Sequence, residues 1–135
     1  MNLKKTISRF LLLLFLITGF SQIPANGDVP DGIPVAFKAG NAKELAKFFN
    51  STIELRFADK EGIYSKSQAE QILKDFFIKN TPNDFRLLHE GGKEASKYAI
   101  GNLYTSKGTY RITLVLKTIN NQVTIHQLIV DEDNV

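Results

Sequence analysis

Two histidines, four tyrosines and a scatter of carboxylates are the groups in this sequence suited to proton transfer near neutral pH, and there is no cysteine. An imidazole titrates near neutrality, so His89 or His126 is a candidate general base. A metal site needs three or four ligands, and two His with no Cys and no Asp or Glu at ligand spacing fall short, so no metal and no cofactor is expected. Isomerase-type chemistry asks for a desolvated carboxylate beside a hydroxyl donor. Glu54, Asp59, Glu61, Asp84, Glu90 and Glu94 fall instead at strand ends, turns or polar faces. Gly91-Gly92-Lys93 is too short for a phosphate loop and reads as a hairpin turn, and no Gly-x-Ser-x-Gly elbow exists. Asn50-Ser51-Thr52 matches a glycan acceptor but reads as a turn into a strand. No catalytic residue is assigned on this basis.

The elements that position these residues begin with three helices. Ile33, Ala36 and Phe37 share one face of a short helix, Pro34 is tolerated in its first turn, and Gly40 suits a left-handed C-terminal cap. Asn41 and Glu44 open a second helix with the apolar stripe Ala42, Leu45, Ala46, Phe48 and Phe49. In the third, Ser65 and Gln68 form a capping box. Ala69, Ile72, Leu73, Phe76 and Phe77 follow helical spacing, and Asn80-Thr81-Pro82 stops it. Vicinal phenylalanines at 48–49 and 76–77 read first as core.

Strands fill the rest. Ile53, Leu55 and Phe57 alternate with Glu54 and Arg56, and Ile63-Tyr64 makes a short partner after a charged turn. Phe85–Glu90, Lys97–Tyr104, Thr109–Lys117 and Val123–Val130 then form a four-strand meander, separated by Gly91-Gly92, Ser106-Lys107-Gly108 and Asn120-Asn121. The expected class is α+β, with three helices of the N-terminal half packed on a curved antiparallel sheet that ends in the meander.

Such a sheet leaves a cavity where its inner face is not filled, and ligand contacts belong on inward positions. Tyr110, Ile112, Leu114 and Leu116 form an alternating apolar face, and Val123 and Ile125 take one parity while His126, Leu128 and Val130 take the other. Tyr98, Ile100, Asn102 and Tyr104 share a face. Tyr98, Asn102, Tyr104 and Tyr110 are therefore the candidate ligand-binding residues, set against the commoner role of a strand tyrosine as a packed ring with its hydroxyl at the rim.

The ends of the chain speak to its address. Lys4, Lys5 and Arg9 precede an apolar run from Phe10 to Ile17, and small residues stand at Gly19 and Ser21. This is the form of a secretory signal peptide over 1–21, cleaved near Gln22, and the run is shorter than the roughly 20 residues of a spanning helix. The expectation is export to the periplasm or beyond, with no membrane anchor after cleavage. Three of the 17 basic residues lie in that leader, leaving 14 against 14 acids, so no basic stripe points to nucleic acid. Residues 22–32, with two Pro and two Gly, read as a flexible lead-in, 33–131 as one domain and 132–135 as a ragged acidic end. Without cysteine, packing alone must hold the fold.

Several local stretches go further. Gly40-Asn41-Ala42-Lys43-Glu44-Leu45, Gly62-Ile63-Tyr64-Ser65-Lys66, Gln68-Ala69-Glu70, Leu73-Lys74-Asp75-Phe76-Phe77 and Lys97-Tyr98-Ala99-Ile100-Gly101 resemble the exported Bacteroidetes family classed as domain of unknown function 4783. The resemblance covers about residues 30 to 130. It implies the nuclear-transport-factor-2-like, cystatin-like cone, a fold shared in outline with ketosteroid isomerases and small-ligand binders, and it carries no activity with it. The expected function is a non-catalytic module that engages a small apolar ligand, a protein partner or, through its sheet, a second copy of itself. The alternative is a small isomerase- or hydrolase-type enzyme in the cone, with Tyr98 or Tyr110 as donor and His89, His126 or Glu90 as base.

Overall fold

The computed structural model describes residues 29–134, so the leader and most of the lead-in lie outside the described residues. Three helices, α1 (Gly32–Ala39), α2 (Ala42–Ala46) and α3 (Lys66–Lys79), pack on one face of a curved six-stranded sheet. The strands are β1 (Phe49–Phe57), β2 (Lys60–Ser65), β3 (Pro82–Lys93), β4 (Ser96–Thr105), β5 (Gly108–Ile119) and β6 (Gln122–Glu132). Among the described residues, no helix is long and apolar enough to cross a membrane.

Local chemistry explains the helix ends. Gly40 takes φ 63°, and the amides of Gly40 and Asn41 return to the carbonyls of Phe37 and Ala36, closing α1 with a left-handed cap. Asn41 caps α2 by accepting from the Glu44 amide at 3.1 Å. At α3 the Ser65 hydroxyl accepts from the Gln68 amide at 3.2 Å, and the Gln68 side chain accepts from the Ser65 amide at 3.1 Å, the reciprocal capping box. The second helix is shorter than its apolar stripe. It ends at Ala46, and Phe49 already belongs to β1, with Asn50-Ser51-Thr52 in strand rather than turn.

The sheet runs β2-β1-β6-β5-β4-β3. The meander β3 to β6 is antiparallel throughout, as is β1 with β2, and the two blocks join through a parallel pairing of β1 with β6. That one parallel contact departs from the all-antiparallel expectation. Its crossover is the β2–α3–meander passage, which lets α3 lie across the inner face. Asn120 and Asn121, at φ 51° and 61°, make the two-residue turn between β5 and β6. Gly91 and Gly92 are not a turn: they pair with Tyr98 and Lys97, and β3 runs on to Lys93. At the ends, Val29 is buried in the core, and the Asp133 amide donates to the Thr109 carbonyl at 2.9 Å.

The core lies between helices and sheet. Phe37 of α1 stacks on Phe85 of β3, centroids 4.8 Å apart, and meets Phe77 of α3 edge-on at 6.3 Å. Ile33, Leu45, Leu73, Leu103, Ile112, Leu114, Ile125 and Leu128 fill the remaining volume with essentially no exposure. Each such side chain contributes on the order of 1.5–3 kcal/mol of burial.

Candidate functional site

Of the four candidate ligand-binding residues, Tyr110 is the one that the sheet points toward the helices; the candidate base Glu90 pairs with the inward Ala99 but is exposed near the end of β3. The register partner of Tyr110, Leu103, is buried in the core, and the Tyr110 ring meets Phe76 of α3 edge-on at 5.0 Å. The hydroxyl donates to Asn80 Oδ1 at 2.9 Å, and Asn80 Nδ2 donates to the Phe76 carbonyl at 3.1 Å. Burial, with the Glu132 carboxylate across the strand pair, pushes the Tyr110 hydroxyl above its usual pKa. These contacts tie the end of α3 to β5, and no imidazole or acid takes the Tyr110 proton. The interior behind it is packed with phenylalanine and aliphatic side chains. A groove of about 470 Å³ does exist, but it lies outside the cone, between the α1–α2 turn and α3, open to solvent beside Lys43, Glu70 and Lys74.

Tyr98, Asn102 and Tyr104 point the other way. Along β4 the buried positions are Ala99, Gly101, Leu103 and Thr105, so the alternate set stands on the face turned from the helices. The sequence placed all four candidates around one inner cavity, and the structure divides them between two faces. The reason is steric. The inner side of β4 lies beneath the Phe85 ring, and a Cβ on Gly101 would sit 2.6 Å from Phe85 Cζ and 2.8 Å from the Arg86 carbonyl. Small residues must therefore face in at this point, and the larger ones face out.

The outer face is ordered in rows by the register. One row reads Ile63, Glu54, Gln127, Val115, Tyr98, Gly91; the next Glu61, Arg56, Ile129, Thr113, Ile100, His89; the third Asp131, Arg111, Asn102, Arg86. No described element covers it. Tyr98 is 38% exposed and Ile63 76%, while Ile100, Val115 and Ile129 are half-buried by one another and by their polar neighbours. Asn102 Oδ1 is buried without a hydrogen-bond partner. An acceptor left in that state carries a desolvation cost of roughly 1–3 kcal/mol.

Polar groups border this strip. The Tyr98 ring lies over Gly91, the aromatic cover of a strand glycine, and its hydroxyl shares a 2.9 Å hydrogen bond with His89 Nε2. Arg86 rests over the Tyr104 ring at 5.4 Å and donates to Asp84 at 3.1 Å. That hydrogen bond, and then the Phe85 amide, hold the Asp84 carboxyl below its usual pKa. Arg111 meets Asp133 at 3.5 Å, and Arg56 meets Asp131 at 3.6 Å.

His126 sits where β6 changes parity. Leu116 pairs with Ile125 and Val115 with Gln127, so His126 is an extra residue in a β-bulge. The bulge carries Ile125, Leu128 and Val130 to the core together and turns Ile129 outward. Sequence alternation alone split these residues and missed Ile129. The His126 ring shares a 2.9 Å hydrogen bond with the Thr124 hydroxyl, and burial, then the Lys117 ammonium, hold it below the usual imidazole pKa.

The His89–Tyr98 contact is the nearest approach to the acid–base pair an enzyme would use, yet it lies on an open sheet face. Among the described residues no group of three or more His, Asp or Glu is placed to hold a metal ion.

A curved sheet with three helices across its inner face defines the nuclear-transport-factor-2-like class. A designed protein of that class with a long sheet superposes at TM-score 0.62 with 14% identity, covering 74% of this chain and 94% of its own. The chain belongs to the family described as domain of unknown function (DUF4783), whose model matches residues 30–131. A member from Bacteroides ovatus is similar at 33% identity and TM-score 0.77, covering 82% of this chain and all of its own. Another, from Bacteroides fragilis, is similar at 32% and 0.75, with coverage of 78% and 100%. No curated protein matches the sequence.

Proposed function

We propose that this is an exported, non-catalytic association module that binds protein through the outer face of its sheet. The observation that carries the reading is the contrast between the two faces. The inner one is packed by Phe37, Phe77, Phe85 and their aliphatic neighbours, while the outer one presents Tyr98, Ile100, Val115 and Ile129 inside a charged border. An apolar centre with a polar rim is the make-up of a protein interface, whereas a small-molecule site is a concavity that encloses its ligand. The orphan Asn102 acceptor adds to this, since docking supplies a donor to a group that folding left unmatched. Export rests on the leader, and cleavage is placed before Gln22.

Native mass spectrometry of the chain purified from the envelope of its own host tests the proposal. The expected species is the polypeptide beginning near Gln22, in a complex whose added mass is protein. A chain carrying a molecule of a few hundred daltons, released by Tyr110→Ala, would overturn the reading in favour of the cone. A mass that retains residues 1–21 would refute cleavage.

A further inference from the structure

The helix side of the molecule, away from the outer sheet face, carries a strip of unpaired charge. The groove beside the α1–α2 turn, about 470 Å³, has Lys43 on one wall and Glu70 and Lys74 of α3 on the other. A second hollow of about 500 Å³ lies where β1 passes the start of α3, among Ser51, Ser65, Lys66, Ser67 and Glu70. Glu70 lines both, so the two hollows adjoin and make one elongated track along α3.

The lysines of this track are not neutralised by the protein itself. Lys38 and Lys47, elsewhere on the helices, meet Asp84 at 3.9 Å and Glu44 at 2.7 Å. Among the described residues, Lys43, Lys66 and Lys74 meet no carboxylate. Glu70 stands one turn of α3 from Lys66 and one from Lys74, the spacing at which helical carboxylates and ammonium groups pair, and it pairs with neither. Over residues 22–135 acids and bases balance at 14 each, so three ammonium groups against one half-buried carboxylate is a local excess of positive charge. Such a strip is complementary to an acidic occupant.

We propose that this track binds an extended protein segment with two acidic residues about four positions apart and a hydrogen-bond donor between them. Lys66 and Lys74 are eight residues apart on α3, roughly 12 Å along the helix. An extended chain covers that length in about four residues. One acid of the segment meets Lys66, beside the Ser51 and Ser67 hydroxyls, and the other meets Lys74, with Lys43 on the facing wall. The residue between them lies against Glu70 and must therefore donate a hydrogen bond or carry positive charge. That central carboxylate also discriminates between kinds of polyanion. A nucleic acid, with a charge on every unit, sets a phosphate against Glu70, whereas a peptide can space its acids around it. The site lies apart from the outer sheet face and goes beyond the association reading above.

The test uses a fluorescent, acetylated and amidated peptide, Ser-Glu-Ser-Lys-Ser-Glu-Ser, with octaglutamate and an oligothymidine of eight nucleotides as comparators. Each is titrated with the chain purified from the host envelope, by fluorescence anisotropy at low ionic strength, and amide NMR locates the contact. The expected result is saturable binding of the peptide, with shifts at Gly40, Ala42 and Ser67. Lys66→Gln with Lys74→Gln weakens it about tenfold or more, and Lys43→Gln, on the other wall, weakens it severalfold. Glu70→Gln weakens the patterned peptide and strengthens octaglutamate. All four side chains lie outside the core, so thermal melts of these variants stay within a few degrees of the parent.

Peptide binding that ignores the lysines, or no saturable binding, overturns the site. Shifts confined to the outer sheet face overturn it too and leave the association reading standing. Tighter binding of octaglutamate or oligothymidine than of the peptide overturns the patterned segment as occupant. Ile100→Lys, on the far side of the sheet, is expected to leave peptide affinity unchanged, so loss of the association reading and loss of this site are separate results.

Discussion

Tyr110 of β5 and Asn80, the residue that ends α3, are joined by a 2.9 Å hydrogen bond across 30 positions of sequence. The same asparagine donates back to the Phe76 carbonyl, so one side chain both closes the helix and fixes it to the sheet. Asn80 is buried, and each half of the pair leaves a different group unmatched when removed. Tyr110→Phe deletes the donor and is expected to lower stability by about 1 kcal/mol. Asn80→Ala strands the tyrosine hydroxyl and removes the second donor to the Phe76 carbonyl, which keeps the Asn80 amide at 2.8 Å, and is expected to cost about 1–3 kcal/mol, more than Tyr110→Phe. Urea unfolding of the two variants measures the difference, and equal losses would remove the capping half of the argument.

Glycine positions on β3 and β4 separate two kinds of close contact. A methyl on Gly101 meets the Phe85 ring and the Arg86 backbone oxygen, and neither can withdraw without shifting the sheet. The atoms nearest a methyl on Gly91 are those of the Tyr98 ring, its hydroxyl at 2.5 Å, and that partly exposed ring can swing outward. Gly101→Ala is therefore expected to lose roughly 1–3 kcal/mol. Gly91→Ala is expected to lose less and to break the His89–Tyr98 hydrogen bond, which side-chain NMR of His89 reports.

The same contact explains what the sequence conveyed and what it withheld. Helix α3 was readable from Ser65 to Asn80 because its cap, stripe and stop are local. The meander was readable because its strands are long and its turns are short. The facing of β4 was not, because large residues conventionally face in, whereas here the Phe85 ring, stacked on the distant Phe37, covers Gly101 and puts the small parity of the strand inward. The bulge at His126 was equally hidden: an extra residue has no compositional mark, and it turns Ile129 outward. Phe49 looked helical because its spacing from Leu45 is right, although its amide neighbours belong to the β1–β6 pairing.

His126 supplies a pH dependence of defined sign. Burial and Lys117 lower its folded pKa below the ordinary 6.5, so the unfolded chain binds the proton more readily than the folded one. Stability should be unaffected by this group above that value and should fall as pH drops through about 6.5 toward the lower folded pKa. His126→Gln removes the slope in that window. Urea midpoints at pH 7.5 and 5.5 for both proteins give the comparison, and an unchanged slope in the variant would assign the effect elsewhere. The Asp84 contribution lies lower. Its depressed pKa favours the fold above about 3.8, and that support is lost in more acidic solution.

Neighbouring positions of one strand separate the two faces most sharply. Ile100 stands on the outer face, half-buried among Thr113, Tyr98 and His89, whereas Leu103, three residues on, is fully enclosed beneath the helices. A lysine at position 103 must hold a charge in an apolar interior or expel it by unfolding, so Leu103→Lys is expected to abolish the cooperative thermal transition. A lysine at position 100 keeps its ammonium in water, and Ile100→Lys is expected to melt within a few degrees of the parent. What it should lose is association, because a long cation at the centre of the apolar strip prevents close approach of any partner. Thermal melts and sedimentation of the two variants read both effects together. An Ile100→Lys protein that melts normally and still associates would place the interface somewhere other than this face.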